Sequence, residues 1–87
     1  MASIRDLKQD INYVLGDIIG AAEIVQDVNP EKTEESEKII DDSIATFDDL
    51  IARVNDKKVE NRKAQLKQVR ADLETKGREL IERINAL

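Results

Sequence analysis

The sequence contains no cysteine and no histidine. Without cysteine there are no disulfides and no thiolate metal sites, and without histidine the commonest acid–base group and metal ligand is missing as well. Phosphate-binding glycine loops, nucleophile elbows and Glu-x-x-His di-metal motifs are also absent. No catalytic, cofactor-binding or metal residues are therefore expected, and no enzyme. Long apolar runs are missing too, because Asp17 and Glu23 interrupt the most apolar stretch well short of the ~20 residues that span a bilayer. The opening segment, with Arg5 and Asp6 beside Ile4, has no signal-peptide h-region, and a cytoplasmic protein is expected.

What is present suits one small helical domain. Eighty-seven residues leave room for a single core, and a core this small gives modest stability that oligomerisation would raise. The net charge of −5 is unevenly spread: residues 1–30 carry −3, residues 31–56 carry −6 and residues 57–87 carry +4. An acidic middle precedes a basic end.

Apolar residues Ile4, Leu7, Ile11, Val14, Ile18, Ala21, Val25 and Val28 recur at steps of three and four, the spacing of one helix face, which Leu15 and Ala22 widen. Ser3 is placed to cap that helix, with Asp6 as the capping-box acid. Asn29-Pro30 then punctuates the chain, Asn as N-cap and Pro at the first helical position. A second stripe runs through Ile40, Ile44, Phe47, Ile51 and Val54, and a third through Val59, Leu66, Val69, Leu73, Leu80, Ile84 and Leu87. The phase breaks at Asn55-Asp56-Lys57, which predicts a turn. The expectation is an all-α antiparallel three-helix bundle forming one domain over 1–87, with helices at about 3–28, 30–54 and 57–86.

Folding the first helix back about Asn29 makes facing positions sum to 58, and folding the third back about Asp56 and Lys57 makes them sum to 113. Ile4 then meets Val54, and Val54 meets Val59. The expected layers include Ile11/Phe47/Leu66, Val14/Ile44/Val69 and Ile18/Ile40/Leu73. Arg62 falls opposite Leu7 and Ile51, and Glu37 with Lys76 forms a polar layer beside Ala21. The same register pairs Asp49 with Lys63, Asp42 with Arg70 and Glu34 with Arg78, so the acidic helix selects the basic one.

The basic end also admits a nucleic-acid-binding alternative through Lys57, Lys58, Arg62, Lys63, Lys67 and Arg70. The spacing of Asn55, Lys63, Leu73, Leu80 and Leu87 resembles that of a basic-leucine-zipper. The alanines expected after the Asn are absent, however, and Gly77 sits where a branched core residue is wanted. The acidic second helix would repel phosphate. A membrane-surface role is not expected, because the polar face of the first helix is acidic where interfacial helices favour basic residues. Asp41-Asp42 and Asp48-Asp49 read as a solvated acidic face.

One feature is left over. Tyr13, Gly16, Ile19, Gly20 and Ile24 lie away from the main stripe of the first helix, and two glycines four apart suggest the close approach of another backbone, either in tight packing inside the monomer or at a self-association or partner surface. The opening Ile4-Arg5-Asp6-Leu7-Lys8 and the run from Asp10 to Ile19 resemble the start of short, uncharacterised all-helical proteins of Bacteroidetes-type bacteria, a resemblance that implies no activity. The expectation is a protein-interaction or structural module that self-associates through the first helix. Its partner is a second copy, forming a homodimer, or another helical protein; neither membrane nor nucleic acid is expected.

Overall fold

Helical spacing, a lone proline and two short polar breaks divide the chain. The computed structural model describes residues 4–87; among them lie α1 (Ile4–Val28), a 3-10 turn (Pro30–Lys32), α2 (Thr33–Asn55) and α3 (Arg62–Asn85). The three helices pack on one another as an all-α bundle measuring 47 × 20 × 16 Å. The Ser3 cap lies outside the described residues.

Both turns differ from expectation in a way that matters for packing. Asn29 makes no side-chain cap bond; instead the amide of Lys32 donates to the Asn29 carbonyl (2.9 Å), and the Thr33 hydroxyl donates to the Pro30 carbonyl (2.6 Å). Proline fixes φ and has no N–H to give, so a tight turn follows it and α2 begins at Thr33 rather than Pro30. The second break falls at Asp56, as the phase change predicts, but it extends to Asn61, and α3 begins at Arg62 rather than residue 57. Asp56 Oδ1 accepts from the Lys58 amide (3.0 Å), and Asn61 Oδ1 caps α3 by accepting from the Ala64 amide (3.1 Å).

These shifts move the register. Four of the five buried residues in each of α1 and α2 lie at mirrored positions about the first turn, Leu7 with Val54, Ile11 with Leu50, Ile18 with Ser43, and Ala22 with Ile39, while Leu15 and Ser36 do not. The mirrored numbers sum to 61 rather than 58, as expected when the pivot moves from Asn29 into the 3-10 turn. Buried residues of α2 and α3 likewise mirror at 123 rather than 113: Val54 with Val69, Leu50 with Leu73, and Ser43 with Leu80. The levels of the bundle are therefore Leu7/Val54/Val69, Ile11/Leu50/Leu73 and Ile18/Ser43/Leu80. The expected Ile11/Phe47/Leu66, Val14/Ile44/Val69 and Ile18/Ile40/Leu73 layers do not form. Ile44 is 47% exposed, Phe47, Ile40 and Leu66 pack at the margin of the core, and Ile39 and Leu50 take the interior.

Two serines complete the interior face of α2. Ser36 Oγ donates to the Thr33 carbonyl (3.1 Å) and Ser43 Oγ to the Ile39 carbonyl (2.7 Å). Each hydroxyl is satisfied by its own helix, which removes the penalty of burying it.

The cross-helix ion pairs agree with this register and replace the expected ones. Arg53 bonds Asp72 at 2.7 Å and Asp42 bonds Arg83 at 2.6 Å, both between α2 and α3, while Asp10 and Arg70 join α1 to α3 at 3.1 Å. Asp49 pairs with Arg53 along α2 and not with Lys63. Arg62 does not lie over Leu7 and Ile51; its guanidinium donates to the carbonyls of Val54 and Asp56, closing the end of α2. Glu37 and Lys76 are both exposed, and Lys76 pairs with Glu79, so no Glu37–Lys76 layer exists.

The Arg53–Asp72 contact has a pH signature. Its hydrogen bond, joined by one from Gln68 Nε2 (2.9 Å), holds the Asp72 carboxyl below its ordinary range and raises Arg53. A carboxyl that titrates lower in the folded than in the unfolded chain contributes fully above the unfolded value, and that contribution is lost as pH falls through the folded one. Asp72→Asn is expected to lower the melting temperature at pH 7 and to flatten its fall below about pH 4. Melting curves across pH 2–7 check this; parallel profiles for variant and wild type would dissociate the pair from acid sensitivity.

Candidate protein interface

An α-helix turns about 100° per residue, so a residue's number sets the side it presents. In α1 the core side carries Leu7, Ile11, Leu15, Ile18 and Ala22, all buried. Tyr13, Gly16 and Ile24, which are exposed, and Gly20, which is half-buried, lie along the opposite side. Tyr13 is 64% exposed and Ile24 62%; Val28 continues the line at 70%. Ile19 does not join them. It is half-buried, about a third of a turn away, on the strip that leads through Glu23 and Gln26 toward α2.

The glycines separate into two kinds. A methyl group added at Gly16 or Gly20 would meet nothing within 4 Å. One added at Gly77 would lie 3.1 Å from Cγ1 of Val14. The close approach inside the bundle is thus between α3 and α1 at Gly77, a residue that the sequence offers only as a flaw in a zipper. Gly16 and Gly20 serve no packing need within the chain.

Beside the exposed line, α1 and α3 leave a shallow groove whose floor is Val14 and Gly77 and whose walls include Tyr13, Arg70, Glu74 and Ile81. Ile81 is 47% exposed and escapes notice in the sequence because it falls outside the Val69–Leu73–Leu80 stripe. Its clue is the step of four from Gly77. A second depression, between α1 and α2, is lined by Glu23, Asp27, Glu37 and Asp41 around Ile40 and Gln26. Among the described residues, no group of three or more His, Cys, Asp or Glu side chains is placed to hold a metal ion.

No family model, no curated protein and no solved structure matches this chain. Its geometry must therefore carry any functional reading. Of the six cations offered as a basic face, Arg62 is committed to the end of α2 and Arg70 to Asp10, while Lys57, Lys58, Lys63 and Lys67 are exposed. Among the described residues, no helix is long and apolar enough to cross a membrane.

Proposed function

We propose that the protein is a non-enzymatic interaction module that forms a homodimer through the solvent side of α1, with Tyr13, Gly16, Gly20 and Ile24 at its centre. The observation that carries this reading is the open space at both α1 glycines. Each costs about 1 kcal/mol relative to alanine in a helix. Domain stabilities run at roughly 0.05–0.15 kcal/mol per residue, so two such costs are a sizeable fraction of what a short chain has. A backbone stripe without Cβ atoms lets a second helix come close, and Tyr13, Ile24 and Val28 supply the apolar surface that such an approach would cover.

Gly16→Ala and Gly20→Ala are each expected to stabilise the folded chain by about 1 kcal/mol while weakening association. Gly20→Leu is expected to give a folded monomer, because a Cβ there meets nothing within 4 Å in its own bundle while the added side chain obstructs a neighbour. Light scattering and melting curves on the same samples check both. A Gly20→Leu variant that associates as wild type does would overturn the reading.

A further inference from the structure

Along the wall of the α1–α3 groove, α3 presents Arg70, Glu74, Arg78 and Glu82, alternating in sign at steps of four. Arg70 is joined to Asp10 at 3.1 Å, whereas Glu74, Arg78 and Glu82 have no ion-pair partner among the described residues. The order of signs reads as the opposite order when the helix is reversed. If a second copy lays its α3 antiparallel against this one with positions summing to 152, Arg70 meets Glu82, Glu74 meets Arg78, and both pairs repeat by symmetry. All four contacts join opposite charges. In a parallel arrangement in the same register, all four would join like charges.

We infer that the second copy seats in the α1–α3 groove with the two α3 helices antiparallel, held in register by this four-residue ladder. The inference rests on the self-association reading and adds to the α1 face the adjoining groove, which shares Tyr13 with it but not Gly16, Gly20 or Ile24, together with a direction and a register. Tyr13 lines the groove near the middle of the ladder, and Ile81 adds apolar surface on the α3 side. Close charge pairs at such a boundary choose the orientation more than they set the affinity.

Charge reversal tests the ladder. Arg78→Glu and Glu74→Arg, each on an exposed position, are expected to remain folded and to weaken their own dimers at least tenfold. Mixing the two variants restores a dimer, because each copy then offers the sign that the other needs. The double variant E74R/R78E also dimerises. Added salt loosens the wild-type dimer and tightens that of Arg78→Glu, since screening removes attraction in one and repulsion in the other. Sedimentation velocity and circular dichroism on all samples give the readout. A wild-type dimer insensitive to both reversals, or one that salt tightens, overturns the ladder and leaves self-association standing. A wild type that stays monomeric at every concentration overturns both.

Discussion

Ile11→Asp is expected to abolish the cooperative thermal transition. Ile11 is fully buried, level with Leu50 and Leu73, and no cation lies among the buried residues to receive a carboxylate. The change removes an isoleucine from the core, at about 2–5 kcal/mol for a truncation of that kind. It also buries a charge that must be left unpaired or neutralised at further cost. Total stabilities of about 0.05–0.15 kcal/mol per residue amount to roughly 4–13 kcal/mol for an 87-residue chain, and these two losses together are of that order. Ile44→Asp is the control. Ile44 is 47% exposed, so the same chemistry there is expected to leave folding intact. Comparable damage at both sites would contradict the register described above and restore the one in which Ile44 is a core residue.

The second large effect separates the glycines. Gly77→Leu forces a four-carbon side chain into a contact where even a methyl carbon would stand 3.1 Å from Val14 Cγ1. Val14 is β-branched and has one strongly preferred side-chain rotamer in a helix, so it does not swing aside cheaply. Overpacking of this kind costs about 1–3 kcal/mol or more, offset by up to about 1 kcal/mol of better helix propensity. The net expectation is a loss of about 1–2 kcal/mol, or roughly 5–10 °C in melting temperature for a domain of this size. Gly20→Leu meets nothing within 4 Å of its Cβ and is expected to keep or raise the melting temperature. Equal melting temperatures for the two variants would refute the distinction between a glycine the fold requires and one it does not.

The chain's helical class and the amphipathic side of α1 are legible from spacing alone, because periodicity reports which residues share a face. Register was not legible, for reasons tied to particular residues. Ser36 and Ser43 are buried by bonding to carbonyls of their own helix, so the true inner line of α2 is disguised as polar. Ile44 is apolar and exposed, so it attracts the stripe to the wrong side. The 3-10 turn after Pro30 and the cap at Asn61 then move both hairpin pivots. Asn is a residue type that favours N-caps, but nothing in the spacing places the end of the turn at Asn61. In the candidate interface, Tyr13, Gly16, Gly20 and Ile24 were legible as a group because they share the face opposite the core. Ile19 also lies off the apolar stripe, but it is half-buried and about a third of a turn from that line. Ile81 and the α3 charges could not be joined to that face until the α1–α3 offset was known, which Asp10–Arg70 and Val14–Gly77 supply.

On the proposed reading, the exposed side of α1 and the adjoining α3 groove receive a second copy of the chain. Sedimentation equilibrium over a wide concentration range tests it most directly, since it weighs the particle without presuming its shape. The account predicts a mass that rises with concentration toward twice the 9.9 kDa of one chain, and that stays at one chain for Gly20→Leu. A wild-type mass of 9.9 kDa at every concentration up to the millimolar range would contradict it.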